Sequence, residues 1–140
     1  MPLSWYISHP CRMILVAATG DIQPRDFARL FESIDAAKAS PYRKIFDVTG
    51  LTTEFAPDMI ALFALWVRQR EAERKVGPIA IVAGSPQTHD QATHFAKQAR
   101  GLRLIQVFQQ RQAARRRLDE AYANEDFCRP SGPERPRQDS

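Results

Sequence analysis

The chain has 140 residues, 44% of them hydrophobic and 26% charged, with a formal net charge of +4. That is enough for one domain with its own core, and the charge is too slight for the footprint of most nucleic-acid binders. No apolar run approaches the roughly 20 residues of a membrane helix. The opening Met-Pro-Leu-Ser-Trp-Tyr has no basic segment leading an apolar one, so no signal peptide is expected. Ser4 to Ser8 reads as a short strand, broken by His9-Pro10. Met13 to Ala18 is a continuous apolar run closed by Thr19-Gly20, and the tight spacing predicts a hairpin. Asp21-Ile22-Gln23-Pro24 then opens a helix. Its Phe27, Leu30, Phe31 and Ile34 recur at i, i+3, i+4 and i+7, and Ser40-Pro41 ends it.

Lys44 to Leu51 is the stretch on which the chain is organised. It reads as a buried parallel strand with one acid, closed by Thr49-Gly50, and it delivers a loop to a helix that starts at Pro57. That helix carries Met59, Phe63, Trp66 and Val67 on one stripe and Ile60, Leu62 and Leu65 on other sides. It is apolar nearly all round for three turns, which implies burial on two sides. Ile79 to Ala83 is a fourth strand. A third helix follows, with Thr88 as its expected cap, Ala92, Phe95, Ala96 and Ala99 inward, and Gly101 just past its end. Leu104 to Phe108 is a fifth strand. Gln110 to about Asn124 is a last helix, with Ala114, Leu118, Ala121 and Tyr122 on one face. The order β-β-α-β-α-β-α-β-α predicts a single α/β domain over residues 1–124, with a mixed sheet flanked by helices. Residues 125–140 include three prolines and a glycine in the last twelve and are expected to be a disordered tail. Two cysteines far apart, Cys11 and Cys128, suggest reduced thiols and a cytoplasmic setting.

Several of these segments together resemble the SpoIIAA-like branch of the STAS domains (sulphate transporter and anti-sigma-factor antagonist). They are the Thr19-Gly20-Asp21-Ile22 turn, the Tyr42-Arg43-Lys44-Ile45-Phe46-Asp47 and Gly77-Pro78-Ile79-Ala80-Ile81-Val82 strands, and Gln106-Val107-Phe108 before an Ala-Ala helix. The resemblance spans roughly residues 3–122. It implies a four- or five-stranded mixed sheet, and protein–protein switching or the binding of nucleotides, small ligands or lipids. Relatives that are phosphorylated carry an Asp-Ser-Ser-Gly turn before the helix after the third strand. Here that place reads Phe55-Ala56-Pro57-Asp58, so the phosphoserine is not carried over.

Four groups of residues are candidates for function. The loop after the third strand offers Asp47, Thr49, Thr52, Thr53 and Asp58. Pro57 removes one helix-terminal N–H, and Glu54 and Asp58 already complement the helix dipole, so anion capture is disfavoured there. A threonine of the loop could be phosphorylated, and Asp47 could bond loop N–H groups. On the second helix, Ile60, Leu62 and Leu65 form an apolar surplus suited to a protein partner, to a second copy of the chain, or to an apolar ligand. Arg111, Arg115, Arg116 and Arg117 make a basic patch on the last helix, suited to nucleic acid or an anionic surface and partly balanced by Asp119 and Glu120. Asp90 and His94 share a helix face, but with His89 and His9 they do not make a metal-site pattern. No cofactor, metal or catalytic motif is expected. The reading is a non-catalytic, regulatory, self-associating interaction domain. Binding of a small apolar ligand or lipid beside the second helix is its alternative, and nucleic-acid contact comes third.

Overall fold

The computed structural model describes residues 3–99 and 104–121. Gly101, Tyr122, Cys128 and the expected tail at 125–140 lie outside them. The elements are β1 (Leu3–Ser8), β2 (Met13–Gly20), α1 (Pro24–Ala36), β3 (Arg43–Leu51), α2 (Pro57–Glu73), β4 (Ile79–Val82), α3 (Pro86–Ala99), β5 (Ile105–Phe108) and α4 (Arg111–Ala121). They build an α/β fold on one five-stranded mixed sheet in the order β1-β2-β3-β4-β5. β1 is antiparallel to β2, and the remaining neighbours are parallel.

Because the parallel strands follow one another in sequence order, their crossovers step in one direction and place α1, α2 and α3 on the same face. The alternation of side chains shows the two faces. Ile14, Val16 and Ala18 of β2 pack with Leu30 and Ile34 of α1. Ile79 and Ile81 of β4 pack with Ala64 and Val67 of α2 and with Ala92 and Ala96 of α3. On the opposite face, Met13, Ile45, Ala80 and Val82 meet Ala114 and Leu118 of α4, both fully buried. Among the described residues the second face has one covering helix, and Tyr6 and Leu15, toward the β1 edge, stay exposed there.

Three local features depart from the sequence expectations. The cap of α3 is Ser85: its hydroxyl accepts the Thr88 N–H at 3.1 Å, and its own N–H donates to the Thr88 hydroxyl at 3.3 Å. Thr88 is the reciprocal third residue of a capping box, inside the helix and buried. The second departure is Cys11, which is disulfide-bonded rather than a reduced thiol. Third, the start of β3 is cationic as well as apolar. Arg43 and Lys44 are both buried, on opposite faces of the sheet. Arg43 donates to Asp119 of α4 at 2.7 Å and to the Cys11 carbonyl at 2.9 Å.

Candidate ligand-binding site

Helix α2 packs closely on α3 and sets Ala64 and Val67 against the β4 side chains, and beside that contact it leaves space over the sheet. Its inner face is Ile60, Phe63, Val67 and Arg70, spaced three, four and three residues apart, so one helical stripe looks at the strands. The space between is a cavity of about 120 Å³. Six phenylalanines line it: Phe27 and Phe31 from α1, Phe46 from β3, Phe55 from the loop, Phe63 from α2 and Phe95 from α3. Phe63 brackets the wall, with its ring centroid 4.7 Å from Phe27, 5.2 Å from Phe55 and 5.7 Å from Trp66. This explains why α2 is apolar on more than one side. One side meets α3 and another faces the cavity.

The cavity has two polar ends. At the C-terminal ends of the strands, Gln91 of α3 accepts the Phe55 N–H at 2.7 Å and so fastens the loop over the cavity. At the other end stand Ser40, Lys44 and Arg70. Lys44 Nζ donates to the carbonyls of Ser40 and Tyr42 at 2.7 and 2.8 Å. Gly77 backs the same loop: its N–H donates to the Ser40 carbonyl at 3.1 Å, and a Cβ there would sit 2.2 Å from the Tyr42 carbonyl oxygen. Any side chain at 77 would push the loop away. Arg70 lies over the Phe31 ring, 4.7 Å from its centroid, and grips Asp35 with both terminal nitrogens at 2.9 and 2.7 Å. Arg74 adds a third contact to Asp35 at 3.0 Å.

The residues expected to matter fall in different places. Ile60 is buried in the cavity wall and is not part of an outward face. Leu62 is half-buried, and of the three only Leu65, 50% exposed, faces solvent. Asp47 points to the α4 side. It accepts the Thr49 hydroxyl at 2.7 Å, the Thr49 N–H at 3.0 Å and Arg111 at 2.6 Å. Thr53 bonds across to the lead of α1: it accepts the Ile22 N–H at 2.8 Å and donates to Asp21 at 2.6 Å. The Thr52 N–H donates to the Gly20 carbonyl, and Asp58 is an exposed residue of the first turn of α2. These loop residues tie elements together and do not converge on one point. The arginines are largely spent on acids: Arg111 on Asp47, Arg115 on Asp119 at 3.5 Å and Arg117 on Glu120 at 3.9 Å, while Arg116 is exposed. His94 bonds Gln98, and among the described residues no three His, Cys, Asp or Glu side chains gather for a metal. Sequence reading missed Ser40, Lys44, Arg70 and Gln91. The buried cation inside an apolar strand was the one available signal, because Lys is almost never fully buried without a role.

Two carboxyls are perturbed. The Asp35 carboxyl lies below its ordinary value: the Arg70 hydrogen bond is the largest influence, burial opposes it, and the charges of Arg70, Arg74 and Lys44 add to the lowering. Burial pushes Asp47 up, but the Thr49 and Arg111 bonds outweigh it and the net direction is again down. A carboxyl with a folded value below its unfolded one adds stability at neutral pH. That contribution is lost as pH falls from about 4 through the folded value. The thermal midpoint is therefore expected to fall below about pH 4, and to fall less steeply in the Asp35→Asn, Asp47→Asn double variant. Equal slopes from pH 5 to pH 2 would show that these two groups carry none of the acid sensitivity.

No protein-family model and no curated protein matches the chain. The resemblance to SpoIIAA-like domains therefore rests on its strands and turns.

Proposed function

We propose that the chain is a non-catalytic ligand-binding domain that takes a small apolar molecule into the cavity between α2 and the sheet. The observation that supports it is the cavity itself. Side chains leave about 120 Å³ of apolar space in the middle of the helix layer. A bound apolar molecule would take that surface out of water, and a cavity of similar size is known to hold a single benzene ring. Small-ligand and lipid binding is among the roles that the SpoIIAA-like resemblance implies.

Toluene is the probe for this reading. Saturating toluene is expected to raise the thermal midpoint of the wild-type protein. It is expected to leave Ala92→Phe and Ile81→Phe unchanged, because each places extra bulk on the cavity wall. A wild-type midpoint that toluene does not move would overturn the proposal.

Self-association through α2 is not proposed. Of its large apolar side chains the helix exposes Leu65, at 50%, and a lone surface leucine is ordinary. A cytoplasmic location is not proposed either, since Cys11 is disulfide-bonded and such bonds persist mainly in oxidising compartments. No helix among the described residues is long and apolar enough to cross a membrane.

A further inference from the structure

We infer that Cys11 is bonded to Cys128, and that this bond is a reducible clamp holding the end of α4 to the β1–β2 turn. The inference is independent of the ligand-binding proposal, because the cavity lies on the sheet face that α1, α2 and α3 cover, and α4 lies on the other.

Three observations carry it. The first is a count. The sequence has two cysteines, Cys11 and Cys128, and Cys11 is disulfide-bonded. Within one chain that leaves Cys128 as its partner. The second is place. Helix α4 is tied to β3 at both ends: Arg111 meets Asp47 toward the end of the strand at 2.6 Å, and Asp119 meets Arg43 at its start at 2.7 Å. The Arg43 guanidinium also donates to the Cys11 carbonyl at 2.9 Å. One side chain therefore reaches both the last turn of α4 and the turn that carries Cys11. The third is reach. Cys128 follows the end of α4 at Ala121 by seven residues, a tether of up to about 24 Å. Cys11 itself packs against the cluster of Met13, Ala114 and Leu118, so a bond from it acts beside the α4 contact with the sheet. The bond closes a loop over nearly the whole chain, and the constraint that a disulfide puts on the unfolded state grows with loop length. Cleavage takes two electrons. A dithiol supplies them: its two S–H groups close to a disulfide of its own, and Cys11 and Cys128 take up the two protons as thiols.

Thiol counting and peptide mapping test the pairing. Air-oxidised protein unfolded in guanidinium is expected to show no thiol reactive to Ellman's reagent, and two after dithiothreitol. Its unreduced tryptic digest is expected to hold the Cys11 and Cys128 peptides as one joined species. Two free thiols before reduction, or a Cys11–Cys11 link between two copies, would overturn the pairing. The thermal midpoint tests the clamp. Dithiothreitol is expected to lower it by about 10 °C. Cys128→Ser is expected to show that lower midpoint without reductant, and to be unmoved by dithiothreitol. The change is made at Cys128 because Cys11 packs against the core. A joined pair of peptides with a midpoint that reduction does not move would overturn the clamp.

Discussion

Replacing Phe63 by alanine is expected to lower stability by about 3–5 kcal/mol, the range for large aromatic side chains removed from a core. Urea unfolding measures it directly. The residue is 8% exposed and touches the rings of Phe27, Phe55 and Trp66, so it joins α1, the loop after β3 and α2 itself. In most α/β domains the sheet would share that task. Here the cavity lies between part of α2 and the sheet, so the aromatic cluster is one of its tethers beside α3 and the Ala64 and Val67 contacts with β4. The substitution also widens the cavity, so it is expected to admit larger apolar probes than toluene if the fold survives. A loss below about 1 kcal/mol, ordinary for a surface substitution, would mean that α3 and β4 hold α2 without the aromatic cluster.

Arg43→Ala is the second large effect, expected near 3 kcal/mol, the lower end for breaking a buried ion pair. The lower end applies because the Asp119 side chain is 21% exposed, so the carboxylate left behind stays partly hydrated. The arginine is 2% exposed and bridges three elements: it leaves β3, donates to Asp119 on α4 and donates to the Cys11 carbonyl in the β1–β2 turn. Lysine cannot make both bonds with one ammonium in the same geometry, so Arg43→Lys is expected to recover only part of the loss. Asp119→Asn is expected to cost less than Arg43→Ala, because it leaves the Cys11 contact in place. Equal losses for all three would assign the whole effect to the ion pair.

Much of the fold was legible in the chain because the code for elements is local. The short apolar runs of the strands, the 3.6-period stripe of α1 and the Pro24 and Pro57 helix starts depend on near neighbours. What escaped depends on distant ones. Arg111 meets Asp47 across 64 residues, so the cationic patch along α4 has an acidic partner outside its own helix. Thr88 and Ser85 are both hydroxyl residues near a helix start, and the backbone decides between them. Periodicity showed that α2 was apolar on more than one side, but it carries no information on how far that face stands from its neighbour. The cavity follows from a distance, and a sequence pattern encodes only a direction.

The strand order has one more consequence. In doubly wound sheets the chain reverses its direction of travel partway across, and the two loops that diverge at that switch point open a crevice at the carboxyl ends of the strands, where ligands bind. A sheet ordered β1 through β5 never reverses its march, so no such crevice forms after β3. The Thr49–Asp58 stretch sits where that crevice would have been; its Thr49 and Thr53 hydroxyls close loops, and Phe55 turns under α2 into the cavity wall. In this topology, room for a guest has to open under a crossover helix.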